Sequence, residues 1–226
     1  MAHPDDVDFG CAGTMAAWSA AGAAVTYCLV TDGDAGGFDE SVGREAMREL
    51  RRAEQRAAGR EAGVEDVLFL GHPDGRLYVT HQLRRDISRV IRQVRPDRVV
   101  CQSPEINYER IAASHPDHRA AGEAALSAVY PDARNPFAHP ELLAEEGLRP
   151  HTVPEVWISG APNANEWVDI TDTFSRKLAA LRAHVTQTAH MDDLESRLRS
   201  WAEANARLGG LGEGRLAESF RRISTA

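Results

Sequence analysis

The chain has 226 residues, 42% hydrophobic and 27% charged, with a formal net charge of -8. That length suits one substantial core, so a single domain over residues 1–226 is expected. The acidic balance argues against a nucleic-acid partner. Cys11, Cys28 and Cys101, widely spaced and without a CxxC pair, argue against a disulfide scaffold or a cysteine–zinc site. No apolar run approaches the roughly 18 residues of a membrane span, and no secretory signal stands at the start, so a cytoplasmic protein without a membrane partner is expected.

His3-Pro4-Asp5-Asp6 opens the chain, with only Met1 and Ala2 before it. The alanine-rich stretch 12–21 predicts a short helix ended by Gly22. Residues 25–31 (VTYCLVT) predict a buried strand, and Asp32-Gly33-Asp34-Ala35-Gly36-Gly37 at its exit predicts a flexible loop at a site mouth. A long helix over 41–62 follows, with Ala46, Leu50, Ala53 and Ala57 set among Glu and Arg at helical spacing. Residues 67–70 predict a second strand, and Gly71-His72-Pro73-Asp74-Gly75 reads mainly as its exit turn. A helix over 80–94 carries its apolar stripe on Ile87, Val90, Ile91 and Val94 and stops at Pro96. Residues 98–101 start a third strand. Ser114 begins the next helix or its cap, with His115-Pro116-Asp117-His118 in the first turn. Residues 156–158 and 167–170 predict late strands, and 174–189 and 191–206 predict C-terminal helices.

Alternation of short apolar strands with helices predicts an α/β fold: a Rossmann-like three-layer sandwich with a mostly parallel central sheet. Such sheets carry their sites at the C-terminal strand edge, where the His-Pro-Asp clusters fall. A strand ahead of His3 is missing, so the first strand is expected to be truncated or misassigned. A ligand at position 3 of a free terminus would be poorly held.

The two clusters can close a three-ligand metal site. Catalytic zinc commonly takes three protein ligands and leaves one position for water. His3 and Asp6, two residues apart with Pro4 stiffening the loop, would supply two ligands, and His118 the third. The same set could hold Fe(II) for oxygenation, but that reading leaves Asp5, His115 and Asp117 without work, whereas zinc hydrolysis uses all three. Asp5 is placed to accept a proton from the metal-bound water. His115 can lie near the metal without binding it and stabilise an oxyanion or help an amine depart, with Asp117 orienting it. Either cluster alone reads more readily as a polar loop capping a helix through Asp5 or Asp117, and only the two together favour a metal site. Arg51, in the helix after the Gly-rich loop, is the candidate substrate-facing arginine. His184 and Gln187 are candidates for the site rim, although a lone helical histidine is more often structural.

Taken in order, AHPDD (2–6), DFGCAGT (8–14), LVTDGDAGG (29–37), ELRRAEQRAA (49–58), LFLGHPDG (68–75), HPDHRAAGEAA (115–125) and DITDTFSRKLAALRAHVTQ (169–187) resemble the LmbE-like, PIG-L superfamily of N-deacetylases. The resemblance implies one LmbE-like deacetylase domain of Rossmann type, with one zinc ion per chain held by His3, Asp6 and His118. It implies Asp5 as general base, His115 as the oxyanion-stabilising histidine, Asp117 as its partner and Arg51 as the substrate-binding arginine. Val7 stands where the family often has an acid, with Asp8 next.

The expected activity is removal of an N-acetyl group from an N-acetylglucosamine-type amino sugar or glycoconjugate. One alternative is an amidase acting on a larger thiol or antibiotic conjugate. Another, of a different class, is a non-catalytic sugar-binding homologue. The expected partner is a small amino-sugar substrate. A homo-oligomer is compatible with the sequence but not derivable from it.

Overall fold

The structure, a computed structural model, describes residues 1–225. In chain order its elements are α1 (Asp6–Ala20), β1 (Thr26–Thr31), α2 (Arg44–Ala62), β2 (Asp66–His72), α3 (His81–Val94), β3 (Arg98–Gln102), α4 (Pro116–Ser127) and α5 (Pro140–Ala144). They continue with β4 (Glu155–Ser159), β5 (Glu166–Asp169), α6 (Phe174–Ala183), α7 (Val185–Thr188), α8 (Leu194–Leu208) and β6 (Ala217–Ser224). No helix among the described residues is long and apolar enough to cross a membrane.

A mostly parallel central sheet is not what forms. There are two sheets: a parallel pair, β1–β2, and a mixed sheet in the order β3-β4-β6-β5. β3 and β4 run parallel, but β5 and β6 are antiparallel, with Glu166 opposite Phe220 and Asp169 opposite Ala217. Short apolar runs report burial but not the direction of pairing, and β6 escaped notice because AESFRRIS buries only part of its length. Ahead of His3 the chain is docked on β1. The Met1 ammonium donates to Cys28 O at 2.8 Å, and Val30 N–H donates to Met1 O at 2.9 Å, so the residue two before the first histidine is bonded to β1.

The chain divides into two compact units. The first holds Met1, His3–Asp74 and Ala164–Phe220; the second holds Ala2, Gly75–Asn163 and the chain from Arg221 onward. In the first unit, α6 packs on α1 and α2. Ile170, Phe174, Leu178, Leu181, Leu194, Leu198 and Leu216 belong to one apolar cluster there, each such side chain contributing on the order of 1.5–3 kcal/mol when fully buried. In the second unit, α4 packs on α3 and β3. Gly122 is required there, because a Cβ would collide with the Gln102 carbonyl.

α1 begins at the motif itself rather than at residue 12, and it is kinked at Cys11 (φ -154°, ψ 15°). A kink strands backbone groups that need partners. A buried ion pair supplies them. Lys177 Nζ donates to the carbonyls of Asp8 (3.0 Å) and Phe9 (2.8 Å), and Glu218 accepts from Gly13 N–H (3.1 Å) and Thr14 N–H (2.7 Å). The two side chains meet at 2.5 Å.

Candidate active site

Within the first unit, the turn His3–Asp6 sits at the start of α1. Asp6 Oδ2 accepts from His3 N–H at 2.7 Å and lies 3.2 Å from His3 Nδ1. The other ring nitrogen, Nε2, lies 3.1 Å from Asp74 Oδ1. Asp5 adopts φ 86°, a left-handed conformation that costs a non-glycine residue on the order of 1–2 kcal/mol. Two residues of α2, one turn apart, hold it there. Arg51 Nη2 donates to Asp5 Oδ2 at 2.9 Å and to the Pro4 carbonyl, and Gln55 Oε1 accepts from Asp5 N–H at 2.8 Å.

Arg51, read from the sequence as facing substrate, is buried; its Nη1 donates to Gly33 O at 3.1 Å, and its Nε has no hydrogen-bond partner. That contact explains the Gly-rich loop. Gly33 has φ 68°, and a Cβ there would lie 2.6 Å from Arg51 Nη1; Gly36 is pressed against the same nitrogen. Thr31, Asp32, Gly33 and Asp34 are all buried, so this stretch seats the guanidinium.

Within the second unit, His115 is the N-cap of α4, with Pro116 in the first turn. His115 Nδ1 accepts from Asp117 N–H at 3.2 Å. The Asp117 carboxylate is buried and accepts from Gly75 N–H (2.7 Å) and Leu77 N–H (3.2 Å). One turn on, His118 brings its ring to 5.1 Å from that of His115, and the two rings offer nitrogens within 4.8 Å of each other. The spacing of both clusters is therefore realised locally: each unit gathers its own motif residues.

Burial pushes the Asp5 carboxyl up from 3.8 to about 7, although the Arg51 guanidinium holds it below what burial alone would give. Burial also acts on Asp74, but hydrogen bonds from His3 and Ala35 N–H outweigh it and keep that acid below its ordinary value. Asp74 is the residue that sequence reasoning read as a turn. The signal was present, since Gly71-His72-Pro73-Asp74-Gly75 repeats the His-Pro-Asp pattern at a strand exit. His72 ends β2, partly buried. His184, considered for the rim, is fully buried at the end of α6, bonded to Asp8 Oδ2 at 2.8 Å. The donors on offer are imidazoles and carboxylates. The three cysteines are free, and burial pushes the Cys101 thiol up to about 12, far from the thiolate that binds metal. This donor chemistry suits zinc and its divalent first-row neighbours.

The family model described as "PIG-L: GlcNAc-PI de-N-acetylase" matches residues 1–129. The chain belongs to the PIG-L family. This PIG-L protein is 35% identical over 185 residues to the diacetylchitobiose deacetylase of Thermococcus kodakarensis, which covers 82% of this chain and 67% of that one. It is 31% identical over 206 residues to a probable N-acetyl-alpha-D-glucosaminyl L-malate deacetylase 2 of Bacillus subtilis, with 88% and 87% covered. Among solved structures it is similar to the N,N'-diacetylchitobiose deacetylase from Pyrococcus horikoshii, complexed with an inhibitor, at a TM-score of 0.89 and 32% identity, covering 98% of this chain and 80% of that one. Family and ligand-type side chains together make this protein a metal-dependent hydrolase of the deacetylase type.

Proposed function

We propose that this protein is a zinc-dependent deacetylase that hydrolyses the acetamide of an N-acetylglucosamine-type amino sugar or glycoconjugate, releasing acetate and a free amine. The observation that carries the reading is the Asp5 carboxyl, raised to about 7 on a strained turn between His3 and Asp6 and gripped by Arg51. A group tuned to neutrality beside metal-type ligands fits a general base. The deacetylase names of the relatives in Thermococcus, Pyrococcus and Bacillus support the amino-sugar class.

His3, Asp6 and His118 would hold the ion. When bound it supplies a polarised amide carbonyl and a water that ionises near neutral pH. Asp5 takes the proton of the attacking water. Arg51 keeps the Asp5 carboxylate aimed and lowers the cost of its charge, so its effect on substrate runs through Asp5. In neutral His115, Nδ1 accepts from Asp117 N–H, which leaves the ring proton on Nε2, the nitrogen that would donate to the developing oxyanion. Asp117 thus selects the tautomer through its main chain while its carboxylate ties the segment at Gly75 and Leu77 to α4.

Acetate release across a panel of N-acetylated mono- and disaccharides and thiol or antibiotic conjugates, with zinc added, tests the proposal. Release from amino sugars supports it. Turnover confined to the conjugates would replace it with the wider amidase reading, and sugar binding without any acetate would leave only a binding role.

A further inference from the structure

Behind the Asp5 turn lies a chain of polar groups that the reaction does not touch. Asp8 and His184 are fully buried, as is Gln55. Asp8 Oδ2 accepts from His184 Nε2 at 2.8 Å and from Gln55 Nε2 at 2.8 Å, and Gln55 Oε1 accepts from Asp5 N–H at 2.8 Å. The connection is continuous from His184 to the backbone of the proposed base.

Three features set it apart from ordinary core packing. First, it is incompletely satisfied: Asp8 Oδ1 and His184 Nδ1 have no hydrogen-bond partner. Buried polar groups of this kind weaken a core that apolar side chains of the same size would fill better. Second, it ends on a strained residue. Asp5 at φ 86° persists only if its surroundings over-determine it, and the Gln55 bond to its N–H is one of the few restraints on that peptide. Third, His184 is itself anchored. It sits at the break between α6 and α7, and Thr188 Oγ1 donates to its carbonyl at 3.0 Å. The rigid end of α6 is thereby tied to the motif turn at a sequence separation of nearly the whole first unit.

We propose that Gln55, Asp8 and His184 form a buried positioning relay that locks the Asp5 peptide, and so the aim of its carboxylate, in the left-handed conformation. Gln55 is the link that reaches Asp5. Asp8 fixes the orientation of the Gln55 amide by accepting from its nitrogen, so that the oxygen must face Asp5 N–H. His184 fixes Asp8. The relay's effect on turnover rests on the reading of Asp5 as base; its effect on the Asp5 peptide does not.

The test uses the full chain and two readouts. Gln55→Leu fills the same space but cuts the link, leaving the Asp8–His184 pair in place. Backbone amide exchange followed by NMR should show Asp5 protection falling about tenfold or more, while amides of β1 and β2 change by less than about twofold. In acetate release, kcat should fall about thirtyfold or more, with KM held within about threefold, because aim and not substrate binding is lost. His184→Gln, which keeps a donor for Asp8, should stay within about threefold of the parent in both readouts, whereas His184→Leu should follow Gln55→Leu. Asp5 protection unchanged in Gln55→Leu, or lost in step with β1 and β2, would overturn the relay. The base reading fails separately, if Asp5→Asn turns over like the parent.

Discussion

Arg51 and Asp5 form a 2.9 Å ion pair in which the arginine is the deeper partner, its side chain 4% exposed against 16% for the acid. The guanidinium is therefore committed to the motif turn and to the Gly-rich loop. Truncating it removes the group that opposes the effect of burial on Asp5, so the Asp5 pKa should rise above about 7. A base must be ionised to work, so the acid limb of the kcat/KM profile should move to higher pH in Arg51→Met. At pH 7 the loss should be about tenfold or more. Arg51→Lys keeps the charge and should shift the limb less. A limb that does not move would detach Arg51 from the base.

Metal binding and turnover should separate by residue. Asp5→Asn is expected to keep stoichiometric zinc and lose about a hundredfold or more in acetate release. His118→Ala should lose zinc as well, as measured by metal analysis after gel filtration. Chelation of the parent should abolish turnover, and added zinc should restore it.

The buried Lys177–Glu218 pair holds the α1 kink from behind. Lys177→Met leaves a carboxylate buried without its counter-ion and should cost about 3–5 kcal/mol. Lys177→Met combined with Glu218→Gln should cost much less than the two single changes added together, because no lone charge remains. Urea unfolding of the three variants measures both quantities.

Glu155, in the second unit, is held at about 2 rather than 4.5 by hydrogen bonds from Trp157, Arg222 and Arg98. Its folded pKa lies below its unfolded one, so its contribution is fully present above pH 4.5 and is lost as the pH falls through about 2. Glu155→Gln should destabilise by about 0.5–1 kcal/mol near neutrality, a small figure because the group is partly exposed. The difference from the parent should close as the pH drops through that window. A gap that stays constant with pH would show that packing, and not charge, accounts for it.

Local chemistry was legible in one dimension because each motif is local. His3-Pro4-Asp5-Asp6 forms a tight turn at the start of α1 and His115-Pro116-Asp117-His118 the cap and first turn of α4, so spacing alone groups the residues that each segment groups. Two helix ends followed for the same reason: Gly63 ends α2 and Thr80 caps α3, both short-range effects. Periodicity and composition set which segments are buried, and the ordered motifs set the family.

Pairings across long stretches of chain were left to packing. Strand direction depends on which edge a segment meets, and nothing in the residues of β5 or β6 encodes that β6 returns antiparallel. Asp74 reaches His3, and Arg51 turns inward to Asp5, because β2 and α2 carry them there. The Gln55–Asp8–His184 connection spans separations of 47 and 176 residues, which no pattern window covers. Short-range rules govern helices, caps and motif turns; the orientation of the Asp5 carboxylate depends on distant side chains that meet only once the core has closed.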